Sequence, residues 1–376
     1  MQLEPFKLER FFAKYEFNVE HQISASDCEP LHVGRLLEIE DQRRGPASSD
    51  TALQHLEKLH LGYTESTGDP ELREAISQLY TGISSDGTLV AAPEELIFLL
   101  LQAHLSKDDH VIVTTPAYQS LSELPRSLGC RVTKWPVELK DGRWQLDLEF
   151  LKQKLDSHTK MVIINLPHNP TGLTFGRAEK DELIRLLRRN GTVLLADEMY
   201  WQLEYGSDAD AVPFCDLYEN TVSLSGLSKS YGLPGLRIGW LATQSPGLLQ
   251  RAAELKDYTT ICNSAPSEFL ALLALRNSEQ LVGCCKNIIA ANLKLFEQLT
   301  RRYPEKLEFL PGGGGSILFP RFIDGRSAER VSMQLIEQQN LLMLPGPLFE
   351  MPEHFFRIGL GRESLPIAIA KFEEIL

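Results

Sequence analysis

Two stretches of this chain, Met161-Val-Ile-Ile-Asn165 and Thr192-Val-Leu-Leu-Ala196, are of strand length and almost wholly apolar. A strand with two apolar faces has to be covered by helices on both sides, which restricts the fold to layered α/β architectures. The same kind of run recurs through residues 89–225. Strands are predicted over 110–114, 131–137, 161–165, 193–196 and 221–225, and helical periodicity falls between them over 94–105, 117–128, 148–155 and 177–189. Such alternation predicts an α/β domain with a mostly parallel sheet between helices, whose ligand site lies at the strand carboxyl ends. Beyond residue 277 the pattern changes. A long helix (279–302) leads to the turn Pro311-Gly-Gly-Gly-Gly315, then to short strands (316–319, 341–344, 355–360) and helices (328–339, 365–376). This predicts a smaller α+β domain. The expected division is an N-terminal segment, 1–45, packing on the small domain, a large domain, 46–276, and a small C-terminal domain, 277–376.

A length of 376 residues suits two or three folding units. With 51 acidic and 38 strongly basic side chains the net charge is −13, which argues against nucleic acid as a partner. The longest apolar run, 269–275, is too short to span a bilayer, and the first twenty residues lack an apolar signal core. No membrane partner is expected. The six cysteines show no C-x-x-C spacing, a usage that fits reduced thiols in the cytoplasm better than disulfides or zinc.

The densest chemical signal is SLSGLSKSYGLPGLRIGW, residues 223–240. Lys229 follows a strand within a Ser/Gly-rich turn, and Arg237 lies eight positions on. Lysine forms Schiff bases with carbonyls once burial or a nearby cation lowers its pKa, although a single loop lysine is more often merely solvated. Asn169-Pro-Thr-Gly172 follows another strand, where by itself it reads as a turn. Asp197 and Tyr200 close the strand TVLLA; Asp197 alone could equally be a helix cap or a metal ligand, but no histidine cluster accompanies it.

Taken in order, LGYTESTGDPELREAI (61–76), DDHVIVTTPAY (108–118), NLPHNPTG (165–172), ADEMY (196–200), SLSGLSKSYGLPGLRIGW (223–240) and FFRIGLG (355–361) resemble the class I/II aminotransferases of the fold-type I pyridoxal-phosphate enzymes. The resemblance implies pyridoxal 5'-phosphate as cofactor and transfer of an amino group between an amino acid and a 2-oxo acid. It implies that Lys229 holds the cofactor as an aldimine and then acts as acid and base. Asp197 would keep the pyridine nitrogen protonated. Asn169 and Tyr200 would bond the phenolic oxygen, and Tyr118 would stack on the ring. Arg237 and Ser228 would grip the phosphate, and Tyr63 would reach it from the second subunit of a homodimer with shared sites, unless Tyr63 is simply a core aromatic. Arg357 would clamp the substrate carboxylate, with Asn169 and Ser26 beside the substrate.

Two positions depart from the family pattern. Gly226 stands where relatives usually carry a phosphate-binding serine, and Ala91-Ala-Pro93-Glu94-Glu95 replaces a Gly-Ala-Gln-like turn. The expectation is that the amides of Glu94 and Glu95, not their side chains, meet the phosphate, as helix N-termini do, with the carboxylates pointing outward or meeting a cation. Substrate choice is the least legible feature. Ser24, Ser26, Asp27, Cys28 and Glu29 could recognise a polar or cationic side chain or could cap the helix starting near Leu31. His21, His168 and Trp201 could line the pocket or simply pack. A lyase, cyclase or decarboxylase acting on an amino acid is the alternative on the same fold. A non-catalytic binding protein is disfavoured by the complete residue set. A nicotinamide dehydrogenase is disfavoured because no G-x-G-x-x-G follows a first strand.

Overall fold

The computed structural model describes residues 2–46 and 49–376. At its centre are β1 (Thr88–Ala91), β2 (His110–Thr115), β3 (Arg131–Lys140), β4 (Arg143–Leu146), β5 (Thr159–Asn165), β6 (Val193–Asp197), β7 (Thr221–Gly226) and β8 (Gly239–Ala242). They form one sheet in the order β1-β8-β7-β6-β5-β2-β3-β4. The pairs β3/β2, β2/β5, β5/β6 and β6/β7 are parallel, and those nearer the two edges are antiparallel. The five predicted strands are β2, β3, β5, β6 and β7. β1, β4 and β8 have four residues each, too few for a periodicity to show.

Alternate residues of the central strands enter two separate cores, as the two-residue period of a strand requires. Met161, Ile163 and Leu195 belong to one core, and Val162, Ile164, Leu194 and Ala196 to the other. From β2 the chain moves to β3 and β4 on one side and then returns to β5, β6 and β7 on the other. The order therefore reverses between β2 and β5, and a crevice opens at their carboxyl ends.

The later part of the chain forms a three-stranded antiparallel sheet, Ile317–Leu318, Phe356–Gly359 and Leu344–Pro345. The predicted strand 341–344 is divided: Leu341–Leu342 pairs instead with His21–Gln22. The N-terminal segment spans both units. Residues 21–29 run along the small one, with Ile23 N–H donating to the Leu342 carbonyl and Glu29 N–H to that of Gly361. A Cβ at Gly359 would stand 1.8 Å from the Ala25 carbonyl oxygen, and one at Gly361 2.5 Å from that of Asp27. The glycines of FRIGLG thus permit this close passage. Upstream, the helix Lys7–Tyr15 lies over the large unit, where the Lys7 N–H donates to Gln119 Oε1 at 2.9 Å. Among the described residues no helix is long and apolar enough to cross a membrane.

Candidate active site

The carboxyl ends of three adjacent parallel strands, β5, β6 and β7, converge on one cavity of about 430 Å³, within the size range of ligand pockets. Asn165 and Asp197 are paired across β5 and β6. The Asn165 side chain donates to the Asp197 carbonyl at 3.0 Å and accepts the Asn169 N–H at 2.7 Å. The strand end therefore fixes the loop that carries Asn169. After β7 the turn holding Lys229 is tied back by Leu227 N–H to the Ile238 carbonyl and Leu233 N–H to the Leu227 carbonyl. Lys229 Nζ donates to Ser26 Oγ at 2.8 Å and lies 6.0 Å from the Tyr200 ring centroid.

Arg357 enters from the central strand of the small sheet and is only 1% exposed. Its Nε and Nη2 donate to the Ser24 carbonyl at 3.2 and 2.9 Å, and Nη1 to Asn169 Oδ1 at 3.1 Å. Among the described residues it has no carboxylate partner. A buried guanidinium with only neutral acceptors suits an anionic ligand.

Burial dominates the electrostatics here. It lowers the pKa of Lys229, with Arg357 and Arg237 adding to the effect and Asp27 opposing it. The Asp197 carboxyl is pushed up to about 6 by burial, against the Met199 N–H that it accepts at 3.1 Å. A cationic ring nitrogen would restore an ordinary acidity to this group. The Tyr200 hydroxyl is buried near Ser26 but makes no well-formed hydrogen bond among the described residues, so it is available to a ligand oxygen. These features fit pyridoxal phosphate: an amine of lowered pKa, a buried acid, a free phenol and a nearby cation, Arg237.

The cavity brings together Lys229, Asp197, Asn169, Tyr200, Tyr118, Arg237, Ser228, Glu94, Arg357 and Ser26. Two predicted residues lie apart. Tyr63 is 93% exposed, which removes the core reading of that side chain within this chain. Glu95 turns away from the cavity to accept the hydroxyls of Thr259 and Thr260. Glu94 departs from the expected outward orientation. It lines the cavity, accepts Ser120 Oγ at 3.1 Å, and is raised to about 7 by burial, with the charges of Asp197 and Glu9 adding. Neutralisation at that pKa lowers the cost of the inward placement.

The glycine at 226 also has a structural reason. A Cβ there would lie 2.9 Å from Gly239 Cα and 3.1 Å from the Ile238 carbonyl oxygen, while one at Gly239 would lie 2.7 Å from Pro93 Cγ. The glycine pair lets the helix Pro93–His104 begin directly against the sheet end.

Of the N-terminal residues, Asp27 pairs with Arg362 at 2.8 Å rather than capping a helix, and Glu29 accepts the Glu363 N–H. His168 bonds Thr171 and the Pro116 carbonyl, and Trp201 bonds the Ala211 carbonyl; both pack. His21 lies beside Glu20. Sequence reasoning missed Glu9, Phe12, Glu16 and Gln22, which line the cavity from the N-terminal helix, the turn after it and the short strand His21–Gln22. The available signal was the mixture of charged and aromatic side chains in KLERFFAKYEF, which suits a helix lying over a site.

Fold and cavity together define a pyridoxal-phosphate enzyme of the large-and-small-domain type. The family model for aminotransferase class I and II matches residues 43–370. Capreomycidine synthase of Streptomyces vinaceus is 28% identical over 98% of this chain and 93% of its own length. A pyridoxal-phosphate-dependent aminotransferase from Streptococcus suis 89-1591 superposes with a TM-score of 0.91 at 28% identity, covering 100% of this chain and 97% of that one. The pyridoxal-phosphate-dependent cyclase OrfR does so with a TM-score of 0.88 at 28% identity, covering 100% and 98%. The chain belongs to the class I/II aminotransferase family. It is an enzyme dependent on pyridoxal phosphate, with the fold-type I architecture and aminotransferase activity that this membership supports.

Proposed function

We propose that this enzyme moves an amino group between an α-amino acid and a 2-oxo acid in cytoplasmic amino-acid biosynthesis, with Lys229 as its central residue. The single observation that carries the assignment of roles is the convergence of Lys229, Asp197 and Arg357 on one cavity. When bound, pyridoxal phosphate supplies an aldehyde that condenses with amines and a ring that withdraws the electron pair left on the substrate α-carbon. Asp197 holds the ring nitrogen in its cationic form. Tyr200 and Asn169 hold the phenolic oxygen, and Tyr118 forms the wall along the ring face. Ser228, Arg237 and the N–H groups opening the helix Pro93–His104 receive the phosphate. Arg357 orients the substrate carboxylate, and Lys229 Nζ takes the α-proton and gives it back. Burial favours this by lowering the pKa of that amine.

The exposed Tyr63 supports a homodimer in which that phenol completes the partner's phosphate site. The six free cysteines fit a reducing compartment. A second reading, cyclisation of an amino acid, is favoured by the chain-long similarity to a synthase and a cyclase. One experiment tests the assignment. Borohydride reduction of the cofactor-loaded protein is expected to label Lys229, and addition of an amino donor without acceptor to yield pyridoxamine phosphate. A label at another residue overturns the lysine assignment, and release of ammonia or a cyclised product without pyridoxamine phosphate favours the second reading.

A further inference from the structure

We propose that the amino-acid substrate carries a cationic side chain, a guanidinium or an ammonium group, seated against Glu16 and Asp27 at the N-terminal wall of the cavity. This deepens the function proposed above and rests on it. Three cations line the cavity, Lys229, Arg237 and Arg357, and each already has a task toward the cofactor or the substrate carboxylate. The carboxylates are in excess: Glu9, Glu16, Asp27, Glu94 and Asp197 line the same space. Asp197 faces the ring nitrogen, Glu94 accepts Ser120, and Glu9 accepts the Tyr118 hydroxyl at 2.7 Å.

That leaves Glu16, beside Asp27, whose charge Arg362 offsets in part by pairing with it. Asp27 follows Ser26, the residue that accepts Lys229 Nζ at 2.8 Å, and its charge acts on Lys229 across the same cavity. Its one ion pair is with Arg362. Glu16 has no ion pair among the described residues; after burial the charges of Asp27 and Glu9 raise its pKa, and they outweigh the Gln22 side chain and the Arg362 charge that oppose them. The carboxylates repel one another across a half-buried wall, a arrangement that a bound cation relieves and an acidic side chain would aggravate. Two further features of the cavity suit a ligand. The Tyr200 hydroxyl, on a residue 2% exposed, makes no well-formed hydrogen bond among the described residues although Ser26 is close, and Arg357, 1% exposed, has no carboxylate partner among them. An amino acid whose carboxylate meets Arg357 and whose amine replaces Lys229 places its side chain where the acidic wall begins.

The test is a titration of the cofactor-loaded enzyme with L-arginine, L-lysine, L-citrulline, L-norleucine and L-aspartate, followed by cofactor absorbance. Half-saturation by arginine or lysine is expected at concentrations at least about 10-fold below those for the neutral citrulline and norleucine, with aspartate weakest. Glu16→Gln, a substitution on a partly exposed helical turn, is expected to remove most of that preference while leaving norleucine unchanged. Calorimetric binding of arginine and citrulline to Lys229→Ala, which does not turn over, is expected to show the same order. Equal response to neutral or acidic amino acids, or a preference that survives Glu16→Gln in full, overturns the inference and leaves the amino-transfer reading intact. Absence of any absorbance change with all five amino acids overturns that reading as well.

Discussion

Asp197→Asn separates the cost of a buried carboxylate from its use. Asp197 is 6% exposed, accepts one N–H, from Met199, and has no cation within ion-pair distance among the described residues. Its pKa stands at about 6 against an ordinary 3.8, chiefly through burial. At roughly 1.4 kcal/mol per pH unit, the ionised group costs the apoprotein about 3 kcal/mol at pH 8. The folded chain binds this proton more tightly than the unfolded chain, so the cost rises as pH climbs from about 4 through about 6. At pH 5 about half of it remains, ~1.5 kcal/mol. Asparagine keeps an acceptor oxygen for the Met199 N–H and brings no charge. The Asp197→Asn apoprotein is therefore expected to be the more stable by about 3 kcal/mol at pH 8, with the gap narrowing at pH 5.

Cofactor reverses the sign. With the cationic ring nitrogen in place the parent gains a buried pair that asparagine does not supply, and losing one member of such a pair costs about 3 kcal/mol or more. Affinity for pyridoxal phosphate is expected to drop on the order of 100-fold in the variant. Urea unfolding of both apoproteins at pH 8 and pH 5, with cofactor titration by fluorescence quenching, checks both halves. A variant apoprotein less stable than its parent at pH 8, or a gap that does not shrink at pH 5, refutes the electrostatic argument.

Arg357→Lys is expected to lower kcat/KM for amino donors about 100-fold with the cofactor absorbance unchanged, since an ammonium cannot reproduce the fork that grips both Ser24 and Asn169; steady-state kinetics and the absorption spectrum check it, and unchanged kcat/KM counts against a carboxylate clamp. Gly226→Ser is expected to destabilise the protein by about 1–3 kcal/mol, because the new Cβ meets backbone atoms of Ile238 and Gly239. A denaturation midpoint equal to the parent's, or tighter cofactor binding, would show that the strand end yields to make room.

The sheet was legible because its strands are buried on both faces, which leaves an apolar signature such as MVIIN that few other structures share. The candidate site was legible for a related reason. Lys229, Asp197 and Asn169 each sit at the carboxyl end of such a strand, so locating the strand locates the residue. Where legibility failed, the cause was tertiary. The inward turn of Glu94 depends on Ser120 and on the depth of the pocket, neither of which its own neighbours in the chain reveal. Strand 341–344 divided because its first half pairs with residues 21–22, a partner more than three hundred positions away. Glu9 and Glu16 gave no chemical motif at all. Their position follows only from how the first helix lies across Gln119 and Tyr118.

The cavity is closed by contacts between distant parts of the chain: Lys229 with Ser26 and Arg357 with Asn169. One set of residues, at the ends of β5, β6 and β7, is held by the rigid sheet and is the set to which the proposed function assigns the proton and ring chemistry. Another, from residues 9 to 27, contributes carboxylates and Ser26 but neither Lys229 nor Asp197. It is anchored to both structural units at once, by backbone bonds to residues 342 and 361 and by the Gln119 contact. Substitutions in this segment can therefore alter which side chain is admitted while the reacting groups keep their geometry. Such a division allows similar folds to carry a transferase, a synthase or a cyclase, because a change of substrate does not require rebuilding the strand ends.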